Sequence, residues 1–250
     1  MRPLIIGDGI IPEAQAVYDV RDALPGRDDV VLLAHVAKFV GQEIPAGSII
    51  YNLEPLFDGC RSLPTGYLDV LRRFTVWDYQ RHNVQHLLYL HGIDALHVPY
   101  GYHASLERVP VRKKNIDVLF FGSMTARRRA ILDKVRGVVT AQRLYGPELD
   151  ATVARAKVVL NIHYCDGPHP LEVVRLNYLM ANGCCVVSER GWDEEENARY
   201  APGLVFSDDP VSACAEMLAA DRKPFEQAAR ATIRAMPMVV PERGVMPCHG

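Results

Sequence analysis

The sequence has no strong net charge, no long apolar run, no paired-cysteine motif and no glycine-rich nucleotide fingerprint. Its formal net charge is −2 and its isoelectric point is near 6.5. That balance disfavours a nucleic-acid binder driven by bulk charge. The longest apolar runs, such as VVLLAHVAKFV (30–40), contain His and Lys and are too short to span a bilayer. The start, MRPLIIGDGI, reads as a strand, without the h-region or cleavage site of a signal peptide. The cysteines (Cys60, Cys165, Cys184, Cys185, Cys214 and Cys248) are scattered, with no CxxC pair. They read as reduced thiols in a cytoplasmic protein. Neither Gly-x-Gly-x-x-Gly nor a P-loop occurs, so the usual NAD and NTPase readings lose their main support. There is no internal repeat and no low-complexity segment.

What is present is apolar material in short runs. The chain has 250 residues, 49% apolar and 23% charged, which suits one large soluble domain or two modest ones. In the first half PLIIG (3–7), DVVLLA (29–34), SIIYNLEPL (48–56), TVWDY (75–79) and ALHVPYGYH (95–103) read as strands. IPEAQAVYDVRDAL (11–24), GYLDVLRRF (66–74) and NVQHLLYLHGI (83–93) have helical period. The segment SLERVPVRKKN (105–115) is polar, charged and carries Pro110, so it reads as a linker. It divides the chain into domains at 1–104 and 105–250.

In the second half IDVLFFGS (116–123), KVVLNIHY (157–164), CCVV (184–187) and GLVFS (203–207) read as strands. TARRRAILDKVRGV (125–138), ELDATVARA (148–156), the stretch before Gly183, PVSACAEMLAADR (210–222) and PFEQAARATIRAM (224–236) read as helices. Strands alternating with helices imply βαβ units and a mainly parallel sheet in each half. Ligands of such sheets sit at the carboxyl ends of the strands.

The polar groups at those ends are therefore the candidates. In the second half they are Gly122, Ser123, Asn161, His163, Tyr164, Ser188 and Glu189, joined by Glu172, Arg175 and Tyr178 from the helix in LEVVRLNYLMANGCCVVSE (171–189). Gly122-Ser123 before a helix offers free backbone N–H groups to an anion. Arg127, Arg128 and Arg129 at the start of that helix oppose its dipole, which makes sense if an anion lies nearby. Each has a plainer reading: FGS as a tight turn, RRR as a solvated face, Glu172 and Arg175 as an exposed helical pair, Asn161 and His163 as satisfied polar groups. His163, Cys165 and His169 hint at a metal, but Gly167-Pro168 intervenes and no second pair matches, so no metal is expected. The convergence of these groups on one sheet edge favours a ligand site.

IDVLFFGSMTARRRAIL (116–132), ARAKVVLNIHY (154–164) and LEVVRLNYLMANGCCVVSE (171–189) together resemble the nucleotide-sugar-binding domain of GT-B fold glycosyltransferases, near the group-1 and spore-maturation-type branches. VPYGYHASLERV (98–109) resembles their interdomain crossover, and the similarity covers roughly residues 98–220. The resemblance implies an α/β protein of two Rossmann-like parallel-sheet domains facing a cleft, with a short N-terminal, acceptor-side domain. It implies a glycosyltransferase that moves a sugar from a nucleotide-diphosphate sugar to an unidentified acceptor, without a metal or other cofactor. Ser123 with the backbone at Gly122, Arg127 or Arg128, and Arg175 oriented by Glu172, would hold the diphosphate. Asn161 and His163 would face the nucleotide or sugar, and Tyr178 the ribose. The retaining branch places a glutamate five residues before the glycine that ends this helix. Here that position is Tyr178, and Pro170 stands in the earlier glutamate's place, with Glu172 two residues on. An inverting enzyme would draw its base from the first half or the hinge, where Glu54, Asp78 and His103 are candidates. Asp78 is also placed to cap the following helix. Two other readings stay open: a non-catalytic sugar-nucleotide-binding or scaffold protein, and a glycosyltransferase that modifies DNA bases through a local basic patch at RVPVRKK (108–114).

Overall fold

Among the described residues ten short strands, all paired in parallel, form two sheets of five. The computed structural model describes residues 4–6, 20–33, 43–56, 66–167 and 169–242. The chain divides into two units, Met1–Tyr100 with Met238–Gly250, and Gly101–Pro237. It passes between them at 100/101 and again at 237/238, where the sequence reading set one boundary at 104/105.

The first unit holds β1 (Leu4–Ile6), β2 (Val30–Leu33), β3 (Ile49–Asn52), β4 (Thr75–Asp78) and β5 (Ala95–His97), lying side by side in chain order. Helices α1 (Tyr67–Leu71) and α2 (Arg81–His91) belong to it. Gly92 ends α2 with φ 61°, a left-handed cap that costs a glycine little. Of the helix expected over 11–24, residues 20–22 are helical and 11–19 lie outside the described residues. The core gathers Ile50, Tyr67, Leu71, Val76 and Leu87, all fully buried. Chain beyond the second unit returns here: Arg27 donates to Pro241 O at 2.6 Å, binds Asp29 at 2.8 and 2.9 Å, and lies over the Trp77 ring.

The second unit holds β6 (Ile116–Phe121), β7 (Val138–Ala141), β8 (Ala156–Asn161), β9 (Val186–Ser188) and β10 (Val205–Phe206), in the spatial order β7-β6-β8-β9-β10. Its helices are α3 (Ala126–Leu132), α4 (Gly146–Val153), α5 (Val173–Ala181), α6 (Glu194–Tyr200), α7 (Pro210–Ala219) and α8 (Lys223–Arg234). The winding reverses between β6 and β8, so a crevice is expected at their carboxyl ends. The core packs Val118, Phe120, Val158, Leu160, Ile162 and Val187 against Leu132, Cys214 and Met217.

Two expectations change. The helix read over 125–138 stops at Leu132, and Gly137 at φ 71° leads into β7, which the sequence reading missed. The reading of six reduced thiols is also corrected: Cys165 is disulfide-bonded, while Cys184, Cys185 and Cys214 are free and buried. Among the described residues no helix is long and apolar enough to cross a membrane.

Candidate functional site

The carboxyl end of β6 is Gly122, with φ 129°. Few residues other than glycine adopt that backbone, and a side chain there would have to displace a guanidinium. A Cβ there would stand 2.9 Å from Arg175 Nη2 and 3.6 Å from Arg128 Nη1. Two guanidinium groups, one from α3 and one from α5, thus converge on a bare backbone at the sheet's switch point.

Arg128 is 3% exposed and is held by carbonyls. It donates to Ile162 O at 2.8 and 3.1 Å, to His163 O at 3.2 Å and to Ser123 O at 2.8 Å. Burial pushes it down to about 10, and the neighbouring Arg175 charge adds to that. Arg175 commits one side-chain hydrogen bond, to Asn161 Oδ1 at 3.1 Å, and its guanidinium lies over the Phe121 ring. Burial lowers its pKa and Glu172 opposes the shift. Neither arginine has an ion-pair partner among the described residues.

Arg127 is a different case. It binds Glu189 through both terminal nitrogens, Asp166 at 2.9 Å and His163 O at 3.2 Å. The Glu189 hydrogen bond leads a shift that raises its pKa. Expected as a diphosphate ligand, Arg127 is instead spent on carboxylates. Ser123 is exposed, and its carbonyl serves Arg128. Thr125 caps α3 by accepting from Arg128 N.

Asn161, at the end of β8, is fully buried. Its amide donates to Glu172 Oε2 at 2.9 Å and to Ser188 Oγ at 3.0 Å, which turns its oxygen to Arg175. His163 faces Glu172 Oε1 with Nδ1 at 3.1 Å and Arg190 O with Nε2 at 2.8 Å, and its backbone N–H donates to Glu189 Oε2 at 2.7 Å. Burial alone would drive the ring toward neutrality, but the Glu172 hydrogen bond and charge, Arg190 O and Glu189 leave its pKa raised. Burial also works against the Glu172 charge, yet His163, Arg175 and His169 hold that carboxyl down at about 2.

His169 stacks on His163 with centroids 4.5 Å apart and planes at 17°. Its Nδ1 faces Pro170 O at 2.8 Å, and burial lowers its pKa. The ligand atoms of His163, His169 and Glu172 lie within 4.8 Å of one another, a spacing open to a metal ion. His169 Nδ1 already faces Pro170 O and both His163 ring nitrogens face oxygens, so these nitrogens are committed to hydrogen bonds.

Tyr178 does not join this group. Its hydroxyl donates to Asp150 on α4 at 2.6 Å, and Arg108 covers its ring. Two three-residue steps from Glu172 drift about 120° around a helix, so stepwise neighbours end on different faces. The expected catalytic carboxylates sit in the first unit. Asp78 is fully buried and accepts from Asn52 Nδ2 at 2.6 Å, Gln80 N at 2.8 Å and Asn83 Nδ2 at 3.0 Å. Burial pushes it up to about 8, against those donors. It braces the approach to α2, whose N-cap is Gln80, where the sequence reading put it at the cap itself or at a catalytic centre. Glu54 is half-buried in the same network, its carbonyl accepting from Asn52 and Asn83, each at 2.9 Å. His103 stands in the second unit and caps the turn Ala104–Leu106 through Ser105 N. The structure therefore joins Gly122, Arg128, Asn161, His163, Glu172 and Arg175, and sets Tyr178 and His103 apart. It adds Ser188, Glu189 and His169, of which the strand-end rule had flagged the first two.

No family model matches the chain. The uncharacterized protein L140 of Acanthamoeba polyphaga mimivirus is 30% identical over 156 residues, covering 56% of this chain and 48% of that protein. TarM superposes with a TM-score of 0.55 at 10% identity, over 87% of this chain and 54% of TarM. A glycosyltransferase from Rickettsia africae ESF-5 gives a TM-score of 0.47 at 11% identity, over 90% of this chain and 77% of that one. The chain spans about half the length of L140 and of TarM. It has the GT-B fold of glycosyltransferases, with two parallel-sheet α/β units.

Proposed function

We propose that the protein is a glycosyltransferase that binds a nucleotide-diphosphate sugar at the carboxyl end of β6 and passes the sugar to an acceptor. The observation that carries this is the meeting of Arg128 and Arg175 at Gly122. Two like charges brought together in a half-buried crevice repel, and an anion between them removes the cost. Guanidinium forks match phosphate oxygens, and the bare glycine lets a phosphate approach the backbone. The crevice lies where an open α/β sheet receives its ligand.

Transfer breaks the bond from the anomeric carbon to the β-phosphate oxygen while an acceptor hydroxyl bonds to that carbon and gives its proton to a base, and the leaving diphosphate gains charge. Arg175 turns Nη2 toward that charge, and Arg128 adds a fixed positive field from below. Their two charges supply the neutralisation a divalent ion would otherwise give, so the reading is metal-independent. Asn161 and Glu172 act by orienting Arg175. Of the two first-unit candidates for a base, Glu54 is half-buried and Asp78 is fully buried.

A second reading, sugar-nucleotide binding without transfer, is favoured by Tyr178, which fills a glutamate's position and is committed to Asp150. A thermal-shift screen of UDP-, GDP-, ADP- and TDP-sugars, then a hydrolysis and transfer assay on any hit, separates the two. Stabilisation lost in Arg175→Ala supports the site, and sugar release or transfer supports the enzyme. No shift with any of the four classes overturns both.

A further inference from the structure

We infer that His163 is held as an imidazolium and positions Arg175 through Glu172 and Asn161. The inference rests on the diphosphate reading for its consequence, though not for its first step. Both ring nitrogens of His163 face acceptors: the Glu172 carboxylate at 3.1 Å and the Arg190 carbonyl at 2.8 Å. A neutral imidazole carries one N–H and one lone pair. Either neutral tautomer would press a lone pair against one of these oxygens, whereas two protons satisfy both. The shared proton lies between Nδ1 and Oε1, since Asn161 takes Oε2, and it belongs on the ring because an imidazole is the stronger base, about 6.5 against about 4.3 for an ordinary carboxyl.

The charged groups around the ring agree. Glu172 faces it from the start of α5, and Glu189, just past β9, binds its backbone N–H and adds negative charge nearby. Arg127 and Arg128 approach only its carbonyl oxygen, not the ring nitrogens. His169, stacked on the ring, donates to Pro170 O and stays neutral, so it adds no opposing charge.

The relay then has one polarity. The imidazolium fixes Oε1 of Glu172, Oε2 fixes the Asn161 amide, and the Asn161 oxygen receives Arg175 Nη1 at 3.1 Å. Loss of the His163 proton loosens Glu172, one of the two acceptors that fix the Asn161 amide beside Ser188 Oγ, and so weakens the hold of the Asn161 oxygen on Arg175. His163 touches no substrate in this scheme and is a positioning residue.

The test uses the full chain with labelled imidazole nitrogens. NMR should show both His163 nitrogens protonated at pH 7, titrating above the ordinary histidine value of about 6.5. A single-tautomer signal at pH 7, or displacement of the Nδ1 proton by equimolar Zn²⁺, overturns the assignment. Calorimetry with UDP, GDP and ADP across the same transition supplies the second readout. Wild-type affinity should fall about tenfold as the ring loses its proton, while His163→Gln binds at the weak level throughout. Parallel pH profiles in the two proteins overturn the positioning role. If none of the three diphosphates binds at any pH, the diphosphate reading and the positioning role fall together, and the NMR result still decides the protonation state.

Discussion

Arg128 and Arg175 point at the same missing side chain: a Cβ on Gly122 would lie 3.6 Å from one guanidinium and 2.9 Å from the other. The two differ in what holds them. Arg128 is tied to three backbone carbonyls through all three of its nitrogens, while Arg175 hangs on one amide oxygen among the described residues. The first sets a field and the second can follow a ligand.

Gly122→Ala tests the crevice. The new methyl meets Arg175 on a backbone at φ 129°, a conformation costing about 1–3 kcal/mol for an ordinary residue. A lower Tm is expected together with a loss of diphosphate affinity larger than any general destabilisation explains. Calorimetry with UDP, GDP and ADP below the melting range reads the second effect.

Arg175→Ala and Arg127→Ala should separate. Removing Arg175 forfeits charge-assisted phosphate hydrogen bonds worth about 1.5–3 kcal/mol, roughly 10–100-fold in Kd. Removing Arg127 strands Glu189, which faces it and His163 N, so the expected loss is in Tm with diphosphate affinity less affected. Equal effects on Kd would contradict the assignment.

Tyr178→Phe should cost about 1 kcal/mol of stability by deleting the hydrogen bond to Asp150. Diphosphate affinity should stay at the wild-type value. A drop in affinity would return Tyr178 to the ligand site.

Asp78 and His163 both carry raised pKa values, Asp78 at about 8. A raised value means the folded state keeps a proton the unfolded chain gives up, so stability is greatest at low pH and falls as pH climbs through the folded value. Urea unfolding should therefore show lower stability at pH 8 than at pH 5. Asp78→Asn should narrow that gap by at least about 1 kcal/mol, whatever it does to stability at pH 5.

Glu172 has the opposite sign. Its folded pKa, about 2 against an ordinary 4.5, gives stability present above pH 4.5 and lost as pH falls toward 2. The shift corresponds to roughly 3 kcal/mol at neutral pH. Glu172→Gln should remove the acid-side slope between pH 4.5 and 2, as circular dichroism titration would report.

The strands were legible because a parallel strand buried on both faces is written as a short apolar run. LFF of β6, VVL of β8 and VV of β9 are such runs. β7 was not legible: VVTA is a half-exposed edge strand, with Val139 42% exposed, and it follows a plausible helix without a break until Gly137. α6 was hidden because EEENARY has no apolar stripe, and its start is marked only by Asp193 accepting from Glu196 N. Strand-end position placed Gly122, Asn161 and His163 at one sheet edge and helical spacing set Glu172 beside Arg175, and the structure brings the five together. The pairing of Arg127 was not legible because its partner Glu189 is 62 residues away in sequence, and no local pattern encodes that bond. Tyr178 misled because a chain of neighbours was read as one face.

The bond from Arg27 to Pro241 spans 214 residues and closes within the first unit. During synthesis the ribosome therefore delivers every strand of the second sheet before it delivers the segment that completes the first. The later-made unit is whole first, and the earlier-made one must wait for its clasp. Nascent chains halted near residue 237 would hold β6 to β10 entire, and with them the arginine crevice, ahead of a finished first unit.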